Sequence, residues 1–254
     1  MTINHKKRKL PPTNPEIGPP QPKHIVVLTG AGISAESGLA TFRDSGGLWQ
    51  NHSVYEVASL TAWRKDRAKV LAFYNERRQQ VRAAKPNAAH YALVELAKHF
   101  RVSIITQNVD DLHERAGSEN VLHLHGEILK ARSSVNSKLI YDLDGKDIQI
   151  GDRCERGSQL RPHIVWFGET VTEFNRAKQL VAAADRFLII GTSLSVYPAA
   201  SLIGYVKRDS PIVIVSPDLE MMPPNVQWFR ETAVKRVPLL VQACINETTR
   251  PGLN

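Results

Sequence analysis

The chain has 254 residues, of which 42% are hydrophobic and 23% charged, a composition typical of a globular protein with one large domain or a domain with an insertion. The net charge of +8 comes partly from Lys6–Lys9, in a proline-rich opening typical of a disordered tail (residues 1–22), and the other basic residues are scattered among acids, so we do not expect a nucleic-acid partner. No apolar run reaches the about 18 residues of a membrane span, and two cysteines, Cys154 and Cys244, argue against a disulfide framework and favour a cytoplasmic protein.

Short apolar runs predict strands that are buried on both faces, because their β-branched and aliphatic residues occupy both parities. These runs are Ile25–Leu28, Val102–Thr106, Val121–His123, Phe187–Ile190 and Ile212–Val215. Helical periodicity is found between them, at Ala88–His99 and Asn175–Ala184. The alternation of strands and helices predicts an α/β fold with a doubly wound, parallel, Rossmann-like sheet.

Two stretches interrupt this alternation and predict a smaller second module. Residues 51–84 look helical, whereas residues 129–161 have weak periodicity and many polar residues. Together they would be inserted into a folded domain of residues 23–250, whose large part comprises 23–50, 85–128 and 162–250. Within the second stretch, Asp144-Gly145 between alternating apolar residues predicts a hairpin over 139–150.

A glycine turn follows the first predicted strand. Gly30, Ala31 and Gly32 stand where the chain leaves that strand and a helix is expected to begin. Glycine lets a backbone approach a pyrophosphate closely, and a helix N-terminus supplies free N–H groups, so the turn suits a phosphate-bearing cofactor. A plain tight turn is an equally good explanation. Because Ala35 stands where the fingerprint G-x-G-x-x-G needs its third glycine, the pattern does not favour a dehydrogenase.

Polar residues follow the second and third predicted strands, where strand ends of a parallel sheet open onto a ligand crevice. Gln107 and Asn108 carry amides that can bond ribose hydroxyls or a carboxamide, and Asp110 carries a carboxylate that can hold an amide nitrogen. A capped turn is the alternative. His123 and His125 follow, and a pleated strand would place both on one side. An imidazole suits proton transfer near neutral pH, although a lone histidine near a strand end is more often structural.

In chain order, these runs resemble the motifs of the sirtuins, the NAD-dependent protein deacylases, from about residue 24 to 245. The matching segments are Gly30–Ser34 with its extension to Arg43, Thr106–Gly117, His125-Gly126, Arg161–Glu169 and Gly191–Ala200. Taken alone, Arg161–Glu169 would be better explained as an ordinary aromatic core strand. The resemblance implies NAD as the cofactor and acylated-lysine proteins as substrates. We expect a monomer with no membrane partner.

The resemblance also assigns residue roles. His125 would deprotonate a ribose hydroxyl, and His123 would be structural. Asn108 and Asp110 would position the amide of the nicotinamide, which the acyl oxygen displaces from the ribose. The implied cofactor contacts are Gly30, Ala31, Gly32, Phe42, Arg43, Gln107, Gly191, Thr192, Ser193 and Ser216, the last where many relatives have asparagine. The implied substrate contacts are Tyr74, Arg77, Val165, Phe167 and Gly168. Phe42 and Arg43 would cover the cofactor and exclude water.

The chain departs from the family at the structural zinc, which most sirtuins hold with four cysteines. Ser133, Asn136, Cys154 and Gly157 stand at those positions. Serine and asparagine are poor zinc ligands, so we expect no zinc or other metal. The hairpin predicted over 139–150 would hold the module together instead.

The acyl group is indicated by two residues of the first inserted stretch. Tyr74 and Arg77 are three residues apart, hence on one face of a helix, and they resemble the Y-x-x-R element of the sirtuin branch that removes succinyl, malonyl or glutaryl groups. A guanidinium pairs with a distal carboxylate, and a phenol adds a directional hydrogen bond. We therefore expect acidic acyl-lysine as the preferred substrate and acetyl-lysine as a shared one. The alternatives are a solvated helix face for the pair, and an ADP-ribosyltransferase or a non-catalytic NAD-binding protein for the chain.

Overall fold

The computed structural model describes residues 23–41, 48–49, 52–220 and 222–249. The tail predicted over residues 1–22 lies outside the described residues, as do two expected cofactor contacts, Phe42 and Arg43. In the part of the chain that is described, no helix has the length and apolar character needed to cross a membrane.

The described residues form strands and helices with the following bounds. The strands are β1 His24–Thr29, β2 Leu48–Trp49, β3 His52–Ser53, β4 Arg101–Thr106, β5 Val121–His123, β6 Gly126–Ser133, β7 Ile140–Asp142, β8 Leu160–Ile164, β9 Arg186–Ile190, β10 Ile212–Val215 and β11 Val226–Phe229. The α-helices are α1 Val54–Val57, α2 Leu60–Lys65, α3 Arg67–Ala83, α4 Ala88–Ala97, α5 Leu112–Ala116, α6 Phe174–Ala182 and α7 Ala233–Thr249. Three 3-10 helices span Ala31–Ile33, Ala35–Ser37 and Ala199–Tyr205.

Six strands form a parallel sheet in the order β11-β10-β9-β1-β4-β5. Numbered along the chain within this sheet, the order is 6-5-4-1-2-3, the order of doubly wound dinucleotide-binding folds. The five predicted strands are all present, and the predicted fold class is confirmed. The sixth strand, β11, escaped prediction because Val226–Phe229 lies at the sheet edge and includes an exposed Gln227.

The two faces of the sheet are covered by different helices, which explains why the strands are apolar on both parities. Ile25 and Val27 of β1 belong to a buried cluster that includes residues of α4 and α7. Val26 and Leu28 belong to a second cluster, on the opposite face, that includes residues of α6 and of the 3-10 helix Ala199–Tyr205. Successive side chains of a strand therefore enter two separate cores.

A second module stands beside this sheet. It contains the antiparallel sheet β7-β6-β8 and helices α1 to α3, and its core includes Val70, Tyr74, Ile128 and Trp166. Strand β6 begins at Gly126 and β8 ends at Ile164, so both extend past the expected edges of the second inserted stretch. The domain bounds given above stay a prediction.

The hairpin predicted over 139–150 is wrong. Asp144 and Gly145 do form a turn, with φ angles of 47° and 81°. However, β7 pairs with β6, and no strand is formed by the described residues directly after the turn. Instead, Ile148 is buried, and its backbone bonds the side-chain amide of Asn75 on α3 at 2.9 and 3.1 Å. The apolar residues after the turn are thus buried against helix α3 and do not form a second strand. A local sequence pattern does not reveal this contact with a distant helix.

Candidate active site

The loops that follow five strands of the parallel sheet meet at its carboxyl edge. Gly30 follows β1, Gln107 follows β4, His125 lies two residues beyond β5, Gly191 follows β9 and Ser216 follows β10. The strand order reverses between β1 and β9, and doubly wound sheets bind their ligands at this switch point. The fold therefore brings together residues from motifs that are up to 186 positions apart in the sequence.

The turns after β1 and β9 lie backbone against backbone. The N–H of Gly30 donates to the carbonyl of Ile190 at 3.0 Å, and the N–H of Gly32 to the carbonyl of Gly191 at 2.8 Å. A Cβ on Gly32 would lie 2.8 Å from Cα of Gly191, and a Cβ on Gly191, whose φ is 64°, would lie 2.3 Å from N of Ile33. The packing of the two turns therefore requires glycine, independently of any ligand.

The helix expected after the glycine turn is not an α-helix. Two successive 3-10 turns, Ala31–Ile33 and Ala35–Ser37, take its place, and the second is followed by Gly38 with a φ of 87°. Ala31 is half-buried in the first of them. A phosphate site at an α-helix N-terminus is consequently not part of this loop, and the prediction of a helix start was wrong.

Asn108 and Asp110 are buried and are linked by Ser34. The side-chain amide of Asn108 donates to the hydroxyl of Ser34 at 3.2 Å, and that serine also hydrogen-bonds Asp110. Burial raises the pKa of Asp110, against hydrogen bonds from the backbone of Leu112 and from Ser34. Ser34 was missed as a site residue, although a small polar side chain directly after the glycine turn could have indicated it.

The ring of His125 is held in one neutral tautomer. Its Nδ1 lies 3.0 Å from the carbonyl oxygen of Gln107, which can only accept a hydrogen bond. Nδ1 therefore carries the proton, and a neutral ring keeps its lone pair on Nε2. Burial lowers the pKa of His125, and the bond to Gln107 only partly opposes this. A neutral imidazole in this tautomer can take a proton at physiological pH.

His123 differs from His125 in its electrostatic environment. Its two ring nitrogens lie 3.0 Å from the carbonyl of Asn108 and 2.8 Å from a carboxylate oxygen of Glu114. Burial alone would lower the pKa of His123, but the hydrogen bond and charge of Glu114 outweigh it and raise the pKa. A ring that donates from both nitrogens has no lone pair for catalysis, which is consistent with the structural role expected for His123.

The remaining expected cofactor residues lie in the loops after β4, β9 and β10. The amide of Gln107 donates to the hydroxyl of Thr192 at 3.0 Å, which joins two of these loops. The hydroxyls of Ser193 and Ser195 lie 2.7 Å apart. The hydroxyl of Ser216 donates to the carbonyl of Asp218 at 2.8 Å, so its proton is used within its own turn.

Tyr74 and Arg77 share a buried face of α3. Tyr74 is fully buried and Arg77 is 6% exposed, so the alternative of a solvated helix face is wrong. Arg77 donates to the carbonyl of Ala40 at 3.0 Å. Burial lowers the pKa of Arg77, while the charge of Asp110 opposes the shift. Helix α3 of the second module therefore brings a buried guanidinium close to a candidate catalytic residue of the large sheet.

The expected substrate segment continues beyond β8 and is held there by backbone hydrogen bonds to two other parts of the chain. The N–H of Val165 donates to the carbonyl of His125 at 2.9 Å, and that of Phe167 to the carbonyl of Ala58 at 3.0 Å. Phe167 is 43% exposed, and Gly168 has a φ of 85°. The segment thus connects His125 to the second module and leaves an aromatic side chain at the surface.

The residues at the family's zinc positions do not fit a zinc ion. The hydroxyl of Ser158 lies 2.7 Å from that of Ser133 and 3.0 Å from the thiol of Cys154. In the described ranges, no three His, Cys, Asp or Glu side chains are grouped so that they could hold a metal. One thiol with two hydroxyls lacks the ligand set of a structural zinc. A hydrogen-bonded cluster occupies this place.

By contrast, the sheet edge fits a dinucleotide. Two amide side chains, Gln107 and Asn108, and the hydroxyls of Ser34 and Thr192 converge on the switch point. They form two hydrogen-bonded pairs between loops, Gln107 with Thr192 and Asn108 with Ser34. Such groups bond ribose hydroxyls and carboxamides. They are the chain's own residues that would hold NAD.

The comparisons with known proteins agree with this geometry. Residues 30–198 match a sequence profile of the Sir2 family. An NAD-dependent protein deacylase of Helicobacter pylori strain J99 is 53% identical over 91% of this chain and 99% of its own length. One of Bacteroides thetaiotaomicron is 52% identical over 77% and 86%. A solved Sir2 homologue in complex with NAD is 40% identical, with a TM-score of 0.80 over 89% of this chain and 91% of that chain. The chain therefore belongs to the Sir2 family.

Proposed function

We propose that this chain is an NAD-dependent protein deacylase that prefers lysine residues carrying an acidic acyl group, succinyl or malonyl, and also accepts acetyl-lysine. The class of enzyme is supported by relatives of that name at 52 and 53% identity. The acyl preference is supported by one observation in particular, the buried guanidinium of Arg77 beside Tyr74.

The argument for an acidic acyl group is electrostatic. Burial disfavours the charge of Arg77, as the lowered pKa of its guanidinium indicates. A distal carboxylate would place a negative charge next to this cation, and a charge-assisted pair of that kind is stronger in a buried site than in water. The methyl group of an acetyl-lysine supplies no such charge. Arg77 would therefore select between acyl groups while leaving the reaction itself to other residues.

The reaction would use the residues at the sheet edge. NAD supplies an activated ribose carbon from which nicotinamide departs. The amide of Asn108 and the carboxyl of Asp110, both fixed by Ser34, would orient the group that departs. His125 would accept the proton of a ribose hydroxyl at Nε2, because Nδ1 is committed to the carbonyl of Gln107. Val165 and Phe167 would hold the peptide, and Gly30, Gly191 and Thr192 would hold the cofactor.

The first test is the product. Incubation with NAD and a succinyl-lysine peptide should give free lysine, nicotinamide and 2′-O-succinyl-ADP-ribose in equal amounts by mass spectrometry. Transfer of ADP-ribose to protein with no loss of the acyl group would favour an ADP-ribosyltransferase instead. Binding of NAD without any product would indicate a non-catalytic protein.

The second test addresses the acyl preference through Arg77→Met. Loss of one charge-assisted contact should raise KM for succinyl-lysine by about tenfold or more and leave acetyl-lysine within about twofold. Arg67→Met is the matched control, because Arg67 begins the same helix but is exposed. Equal effects of Arg77→Met on both peptides would remove Arg77 from the acyl pocket.

The compartment and the partners follow from the same proposal. The two cysteines, Cys154 and Cys244, are free thiols, which suits a reducing cytoplasm. Acylated proteins would be the partners, and a monomer would suffice because every residue proposed for the reaction comes from one chain.

A further inference from the structure

Tyr74 of the proposed acyl pocket receives a hydrogen bond from a residue far away in the sequence. The indole N–H of Trp166 donates to the phenol oxygen of Tyr74 at 2.9 Å. Both side chains are almost completely buried, with exposed fractions of 2% and 0%. An indole can only donate, so the phenol oxygen of Tyr74 is the acceptor of this bond.

Trp166 is itself held on two sides. The central carbon of the Arg161 guanidinium lies over the indole, 3.3 Å from the ring centroid. The backbone N–H of Trp166 donates to a carboxylate oxygen of Glu169 at 2.9 Å. The indole plane and the backbone beneath it are therefore both fixed.

Glu169 connects these contacts into one network. It accepts two hydrogen bonds from Arg161, at 2.9 and 2.8 Å, and two from Arg132, at 3.0 and 2.8 Å. Burial would raise the pKa of Glu169, but its hydrogen bonds and the two guanidinium charges outweigh burial and lower the pKa. Glu169 is thus a carboxylate at neutral pH. The network runs from Arg132 through Glu169, Arg161 and Trp166 to Tyr74.

We propose that Trp166 is a positioning residue for acyl selectivity: its indole N–H fixes the phenol of Tyr74 so that the phenol donates to the distal carboxylate of the acyl group beside Arg77. The proposal rests on the preference for acidic acyl groups proposed above. Arg161 and Glu169 act one step further back, by holding the indole. None of these three residues would touch the reacting atoms.

The proposal has a selective consequence. A hydrogen-bond donor that is held in one direction favours only a substrate with an acceptor at that place. A succinyl group has a carboxylate there, and an acetyl group has none. Loss of the indole N–H should therefore affect the binding of succinyl-lysine and leave both the acetyl-lysine reaction and the chemical step unchanged.

The kinetic test uses Trp166→Phe, which removes the indole N–H and keeps an aromatic ring under Arg161. We expect KM for succinyl-lysine to rise about fivefold, kcat to stay within about twofold, and kcat/KM for acetyl-lysine to stay within about twofold, because one buried hydrogen bond is lost. In a Tyr74→Phe background the same substitution should have no further effect on KM. Equal losses for both peptides, or an additive effect in that background, would overturn the proposal.

A spectroscopic test is independent of catalysis and of whether Trp166→Phe folds. The indole N–H resonance of Trp166 should move upfield by NMR in Tyr74→Phe, because its acceptor is removed. The indole of Trp228, which donates to the carbonyl of Ser216 at 2.9 Å, is the matched control and should not move. An unmoved Trp166 resonance would overturn the proposal. If the resonance moves but wild-type protein removes neither acyl group, the proposed function fails while the hydrogen bond stands, and the selectivity role falls with that function.

Discussion

Two buried histidines, His90 and His113, should make the folded state sensitive to acid. Their rings lie 5.0 Å apart, and both are at most 1% exposed. Burial, assisted by the charge of Arg115, lowers the pKa of His90 to about 4. Burial also lowers the pKa of His113 well below its ordinary value, as do the charges of His90 and His123. Both rings are therefore neutral in the folded protein at pH 5.

The size of the effect follows from proton linkage. In the unfolded chain a histidine takes up a proton near pH 6.5, whereas folded His90 does so only near pH 4. Its contribution to stability is fully present above pH 6.5 and is lost as the pH falls from 6.5 towards 4. Between pH 8 and pH 5, His90 alone should lower the free energy of unfolding by about 2 kcal/mol. His113 acts in the same direction.

Urea unfolding followed by circular dichroism at pH 8 and pH 5 measures this loss. Between pH 8 and pH 5, the free energy of unfolding of His90→Gln should fall by about 2 kcal/mol less than that of wild type, because the ionisable group is gone. The glutamine amide oxygen can still accept the backbone N–H of Asn87, which His90 accepts at 3.3 Å. His99→Gln is the control, since His99 is exposed. The same pH dependence in His90→Gln and wild type would refute the reasoning.

Three further predictions concern the cofactor turn, the second module and the base. Gly191→Ala should raise KM for NAD by about tenfold or more, because a positive φ and a Cβ 2.3 Å from N of Ile33 would displace the turn; an unchanged KM in steady-state assays would contradict this. A zinc chelator should change neither Tm nor activity, because Ser133 and Cys154 bond Ser158 instead of a metal, and about one zinc per chain by elemental analysis would oppose the claim. The acid limb of kcat/KM should have its midpoint below pH 6.5, because burial lowers the pKa of His125 and the base works only when unprotonated; a midpoint above pH 6.5 would count against His125.

Features that depend on short segments could be predicted from the sequence. The five buried strands have apolar residues on both parities, and the structure buries them between two separate cores. Because carboxyl ends of parallel strands share one edge, Gln107, His125 and Gly191 could be expected to meet although they are distant in the chain.

Features that depend on contacts between distant segments could not be predicted. The bond between Trp166 and Tyr74 joins residues 92 positions apart, and no local pattern contains it. The prediction of a hairpin over 139–150 was wrong for the same reason, because the backbone of Ile148 hydrogen-bonds a side chain of α3. The glycine turn was predicted correctly as a turn, but the packing against Gly191 that requires its glycines comes from another strand.

The central claim is that a buried guanidinium makes this Sir2-family chain prefer acidic acyl groups. It is tested most directly by the ratio of kcat/KM for two peptides of identical sequence, one succinylated and one acetylated on the same lysine, with NAD in excess. The account predicts NAD-dependent removal of both groups and a ratio of about ten or more in favour of succinyl-lysine, the equivalent of one charge-assisted contact to Arg77. A ratio of one or less, or no NAD-dependent removal of either group, would contradict it.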